Sequence, residues 1–334
     1  VYKFILKLKR NILTIIICLF LFIIFVFSEK SIIATKNAIF LWSTCIVPSL
    51  FPFFLATELL NKTKVPELIG KHFNKFIQPL FYLPGEAFYA FFIGILCGYP
   101  TGTKIVSDFY NTGICTKHEA ERMLAFTNNS SPLFIIGTVG ISFFSNSRIG
   151  ILLLITHLLS SISIGILFGY FCRLFFNSEK RSVKTSINSS KKICINNFGD
   201  SLTSGIISSV NTLFTICGFI IIFSIIISVL NSIDFFDIFK FTGIPVTQSK
   251  AFFSGIIELT TGVNLASNIL NNNLSTNVII CSFLLGFGGL SVLLQVFSIS
   301  SKYGLSIKLY FFGKVLQGIL SATYTFILLN YFSL

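Results

Sequence analysis

Residues 88–110 read FYAFFIGILCGYPTGTKIVSDFY: an apolar run from Phe88 to Cys97 stops at Gly98, Tyr99, Pro100, Thr101 and Gly102 and resumes from Lys104 to Tyr110. Neither arm can cross a hydrocarbon core of about 30 Å, which takes roughly 20 residues of α-helix. Glycine and proline in the middle of such a run free backbone groups that lipid cannot satisfy, so the break belongs where it faces protein or a watery cavity. The stretch is read as a re-entrant hairpin of two half-helices.

The rest of the chain supports the bilayer that this reading needs. Of 334 residues, 53% are hydrophobic and only 11% charged, with a mean hydropathy of +0.84. That balance cannot cover a soluble surface, which excludes a soluble globular protein. A transmembrane β-barrel is excluded too, because runs such as Phe219 to Leu230 show no alternation of apolar and polar residues. The excess of 25 Lys and Arg over 12 Asp and Glu fits the basic cytoplasmic loops of membrane proteins. It is scattered, with no aromatic-interleaved patch to bind nucleic acid. The eight cysteines form no CxxC pair and sit mostly in apolar runs, as packing residues rather than zinc ligands.

Lys3, Lys7, Lys9 and Arg10 precede an apolar run from Ile12 to Phe27 with no small-x-small cleavage site after it. An uncleaved anchor helix within 1–30, its N-terminus cytoplasmic, is expected. A second interrupted span carries Thr127, Asn128, Asn129, Ser130, Ser131 and Pro132 at its middle. Either it is a kinked helix bonded to its neighbours, or Pro132 opens a restarted half-helix.

The chain resembles itself. Phe91, Phe92, Ile93, Gly94, Ile95 recurs as Phe252, Phe253, Ser254, Gly255, Ile256, and each is followed by a Thr-Gly pair, at 101–102 and 261–262. Further on, His157 falls opposite Lys314. Two repeats, 31–176 and 195–334, joined by a basic cytoplasmic linker at 177–194, are expected. Placing the basic clusters inside gives each repeat three crossings and a hairpin, with 61–86 a cytoplasmic loop; an odd number of crossings inverts the second repeat. The expected fold is therefore all-α and polytopic: two inverted repeats, each with three transmembrane helices and a re-entrant hairpin, plus the anchor.

Ionisable residues in such spans are costly and mark cavities or pairs. The candidates for binding a substrate are Gly98, Pro100, Thr101, Gly102, Lys104 and Asp108 in the first hairpin. Thr127, Asn128, Asn129 and Ser130 in the next break join them, with Glu258, Thr261 and Asn264 in the second hairpin and Lys314 in the last helix. Lys104 with the half-helix N-terminus after Gly102 suits an anion, or forms a plain i, i+4 pair with Asp108. Asn128 and Asn129 offer amide donors and acceptors to a planar ligand. Glu258 opposes an anion unless it pairs with Lys314, is protonated, or binds a coupling cation. No catalytic motif, metal site or cofactor is read; a coupling ion, H+ or Na+, is compatible.

GYPTGTK at 98–104, the D-x-Y-x-x-G of 108–113 and HEAERMLAFTNNSSPLFIIG at 118–137 resemble the sporulation integral membrane proteins of the YlbJ type, which contain nucleoside-recognition (Gate) domains. The second half has no TNNxxP counterpart. The resemblance implies a protein of the outer forespore membrane or cell membrane that passes dipicolinic acid from mother cell to forespore. The alternatives are a nucleoside or nucleobase permease and a structural protein of spore assembly. A homo-oligomer fits each of them.

The charge asymmetry has a direct test. Single cysteines at Asn74 and Ser232, in a chain freed of native cysteines, should react with a membrane-impermeant thiol reagent from opposite sides of the membrane. Labelling of both from one side would leave parallel repeats.

Overall fold

The computed structural model describes residues 2–175, 198–242, 245–269 and 274–331; the linker expected at 177–194 lies outside them. The described residues are helical throughout, with no strand. Five helices are long and apolar enough to cross a membrane, at 28–61, 147–174, 198–232, 274–303 and 308–331. The protein is an all-helical polytopic membrane protein. Its outer faces carry apolar side chains such as Phe40, Phe214 and Phe312, each more than 60% exposed, as a lipid-facing surface requires.

After α1 (Tyr2–Val26), α2 (Ser28–Leu41) and α3 (Val47–Asn61) run on through a π-helical turn at Trp42–Ile46. The loop expected at 61–86 is mostly helix: α4 (Val65–Phe81) lies at 91° to the helix after it. The cause is a local pattern. Val65, Ile69, Phe73, Ile77 and Phe81 recur every four residues and pack on the core, while Lys71 and Lys75 stay outside it, which is an amphipathic helix lying on the bundle.

The interrupted stretches follow. The first hairpin is α5 (Glu86–Cys97) and α6 (Thr101–Asn111). The first broken helix is α7 (Lys117–Thr127), begun by a capping box between Thr116 and Glu119, and the π-helical Leu133–Phe143. This pair is not among the five long spans, because each of its arms has only 11 residues and a non-helical break separates them. The long α8 (Ser147–Phe175) closes the series. The same order recurs after α9 (Phe198–Ser232). There α10 (Val246–Ile257) and α11 (Leu259–Ser267) form a second hairpin, α12 (Leu274–Phe287) and α13 (Gly289–Ser300) a second broken helix, and α14 (Lys308–Tyr331) the closing span.

The repeated glycine motif has a steric cause. In the first hairpin a Cβ on Gly94 would lie 3.5 Å from the Cα of Gly102, and both glycines abut the carbonyl of Thr127. In the second, a Cβ on Gly262 would collide with the Cα and N of Gly255. Each Thr-Gly pair thus lets the returning arm touch the glycine of the outgoing one.

The closing spans α8 and α14 meet α12 around buried hydroxyls. The Thr325 hydroxyl lies within hydrogen-bond distance of Ser282 at 2.7 Å and of Thr156 at 3.0 Å, and Ser282 bonds Ser321 at 2.8 Å. Between apolar helices in lipid, small polar side chains of this kind supply the attraction that water would otherwise supply.

Gly262→Ala should therefore lower the thermal stability of the detergent-purified protein by about 1–3 kcal/mol, the usual cost of overpacking. Gly218→Ala in α9, where an added Cβ meets nothing within 4 Å, should leave the melting temperature unchanged or raise it slightly.

Candidate functional site

Four breaks interrupt the paired stretches, and all four converge. Gly98 and Tyr99 from the first hairpin, Ser130 and Ser131 from the first broken helix and Glu258 from the second hairpin line one cavity. Ser291 and Gln295, just past the second helix break, join them. Ser49 and Thr260 also reach the cavity, and the apolar part of the wall includes Leu50 on α3, Phe134, and Ile216 and Ile220 on α9.

A break in a membrane helix leaves N–H and C=O groups without helical partners, and each must find one inside the protein. The first hairpin is served from the next element. Asn128 Oδ1 accepts from the backbone N–H of Thr103 and from its hydroxyl, both at 2.8 Å, and Asn128 Nδ2 donates to Leu124 O at 3.0 Å. The half-helix N-terminus that the sequence offers to an anion is thus already capped by a side chain.

At the first broken helix, Ser130 N–H donates to His157 Nε2 at 3.2 Å. The carbonyl of Asn128 accepts from the ammonium of Lys314, which also donates to Gln317 Oε1 at 2.8 Å. Gln317 Nε2 reaches Asn129 Oδ1 at 3.1 Å, and Asn129 Nδ2 donates to Phe126 O at 2.8 Å. Lys314 is fully buried, lying over the rings of Tyr99 and Tyr310 at 5.1 and 5.9 Å, a cation–π geometry. Tyr99 forms the cavity wall, so the ammonium stands one side chain behind it.

The second hairpin caps itself. Glu258, 2% exposed, is the N-cap of α11; its carboxylate accepts from Thr260 N at 3.1 Å and from Thr261 N and Oγ1 at 2.7 Å. Charge-assisted bonds at a helix N-terminus hold a carboxylate in place without a counter-ion. Gly288 and Gly289 turn the second broken helix with φ of +86° and +81°. The carbonyl of Leu285 in its last turn accepts from Tyr99 OH at 3.2 Å.

The sequence-selected residues therefore separate. Gly98, Ser130 and Glu258 face the central cavity, and Thr261 holds Glu258 from behind. Asn128, Asn129 and Lys314 form the buried network beneath it. Pro100, Thr101 and Lys104 line a second, adjacent cavity. Gly102 and Thr127 serve the close packing of the first hairpin. Asp108 is seven residues along α6 from Thr101, roughly 10 Å at 1.5 Å per residue, and Asn264 bonds Asn268 at the far end of α11; neither lines the central cavity. Lys104 pairs with Glu58 of α3 rather than with Asp108. Sequence reading passed over Tyr99, Gln317, Glu58 and Gln295. Glu58 and Gln317 were findable as polar residues inside apolar spans.

Helical spans, paired hairpins and converging breaks define a polytopic membrane protein with a central cavity lined from both halves. Residues 44–171 match the family model described as Gate: Nucleoside recognition. Over 318 residues the chain is 31% identical to the sporulation integral membrane protein YlbJ of Bacillus subtilis (strain 168), covering 90% of this chain and 78% of that protein. The chain belongs to this family of Gate-domain sporulation integral membrane proteins. No solved structure matches it.

Lys314→Met leaves the Asn128 carbonyl and Gln317 without their donor. It should cost about 1–3 kcal/mol of stability in detergent, the penalty for an orphaned buried acceptor. Gln317→Leu added to it should cost less than Gln317→Leu alone, because the two residues share one network. Additive losses would show the bonds to be independent.

Proposed function

We propose that this protein carries a small planar dicarboxylate, dipicolinic acid, across the outer forespore membrane. It would do so by alternating access between two inverted repeats and without covalent chemistry. The observation that carries the reading is the convergence of all four breaks on one cavity, the arrangement of transporters whose substrates bind at discontinuous helices near the midplane. The recurring order of hairpin, broken helix and closing span supports the repeats, and the basic residues at Lys62, Lys64, Lys71 and Lys75 support a cytoplasmic placement of the end of α3 and of α4, with the N-terminus on the same side.

The ligand class follows from the walls. Tyr99 and Phe134 offer two aromatic faces to a planar ring, and hydroxyls on Ser130, Ser131 and Ser291 offer donors to carboxylates. The α11 amides already offset the Glu258 charge. A dianion beside Glu258 is still best accompanied by a proton or a Na+ ion. The name of the relative ties the reading to sporulation.

A second reading is supported by the uncharged majority of the lining and by the description of the matching family model: a nucleoside or nucleobase, bound by hydrogen bonds and stacking. One experiment separates the two. In vesicles containing the purified protein, labelled dipicolinate should accumulate and excess nucleosides should not compete, and Tyr99→Ala should reduce uptake about tenfold, the loss of one stacking contact of roughly 1–1.5 kcal/mol. Nucleoside uptake that dipicolinate does not inhibit would replace the first reading with the second.

A further inference from the structure

A second, tighter hollow lies beside the first along the same elements. On α3 the wall passes from Leu50 to Phe54, on α9 from Ile216 to Thr212 and on α13 from Gln295 to Ile299; at the hairpin turn it passes from Tyr99 to Pro100. Four residues of helix are about 6 Å, so the two hollows are neighbours along α3, α9, α13 and the first hairpin, and a passage joining them would have the second hollow as its outer section.

One cluster of side chains ties three of those elements together along the second section. The ammonium of Lys104 on α6 pairs with the Glu58 carboxylate on α3 and donates to the hydroxyl of Ser208 on α9 at 2.6 Å. The two charged side chains are 29% and 17% exposed, whereas Glu258 and Lys314, flanking the central cavity, are 2% and 0% exposed. The pair thus stands where the passage meets the surface. It lies within two turns of the end of α3, where Lys62 reaches Ser201 O at the start of α9.

We propose that the Lys104–Glu58 pair is the gate of this passage, closing the central cavity toward the side on which α3 ends. The proposal rests on the transport reading above, which needs such a path. A partly exposed ion pair suits a gate because it holds α3, α6 and α9 together when closed, and each charge regains water when it separates, so the equilibrium lies within reach of a substrate's binding energy. A deeply buried pair would leave two unsolvated charges on opening.

The experiment that decides this reads access rather than transport. A single cysteine at Ser49, on the wall of the central cavity, is placed in a chain whose native cysteines are replaced and is labelled with a membrane-impermeant methanethiosulfonate, in vesicles of both orientations. Glu58→Gln should speed labelling roughly fivefold or more, the lower range of an energetic coupling between two sites, from the α3-end side only. The swap Lys104→Glu with Glu58→Lys should restore the slow rate. Unchanged labelling in Glu58→Gln, or equal acceleration from both sides, overturns the gate. If Glu58→Gln does not accumulate in the membrane, Glu58→Asp keeps the charge but shortens its reach and should show the same one-sided effect to a smaller degree; no effect there overturns it equally. Labelling needs no substrate, so a wrong substrate assignment leaves this result standing.

Discussion

The structure depends on one constraint: a backbone group released inside a membrane must be bonded again by the protein itself. The chain breaks its membrane helices at four places, and the partners it supplies are mostly side chains from elsewhere. Lys314 in the second half takes the carbonyl of Asn128 in the first. Tyr99 in the first half takes the carbonyl of Leu285 in the second. The halves therefore complete each other's interrupted helices, and the cavity exists because the interruptions are brought together to be satisfied.

This accounting also decides where the charges go. Each of three ionisable groups in the interior is held by a different device: Glu258 by the amides of the helix it caps, Lys314 by a carbonyl, a glutamine and two aromatic faces, Lys104 by a carboxylate on a neighbouring helix. Only the last of these is a pairing of opposite charges, and it is the most exposed of the three. A group tied to backbone by several bonds is part of the scaffold, whereas two side chains joined mainly to each other can part without unfolding a helix. That contrast is the reason for assigning permanence to Lys314 and movement to Lys104.

The arms of the hairpins show how little a site of this kind needs from sequence identity. The two halves share a short glycine-containing motif and little else, yet both fold their arms back at the same glycine contact. Steric fit at the turn specifies the hairpin, and the residues around it are free to specialise. The first hairpin lends its tyrosine to the cavity wall, and the second lends a carboxylate.

What was determined by the sequence alone is everything carried by local signals. Long apolar runs established the bilayer, and glycine and proline at 98–102 and the polar run 127–132 marked the breaks of the first half. The paired glycine motifs marked two hairpins. The amphipathic period of Val65 to Phe81 was equally local, but its lysines read as a cytoplasmic loop and masked its apolar stripe. The pairings belonged to the tertiary structure. Lys104 and Asp108 stand one turn apart on one helix, yet the ammonium turns to Glu58, 46 positions away, because α3 packs beside it. Asn128 and Asn129 read as ligand-binding amides, yet their atoms are used to mend the two breaks of the first half. Which helix lies beside which decides where a freed backbone group finds its partner, and that choice depends on the packing of the whole bundle rather than on any stretch of the chain.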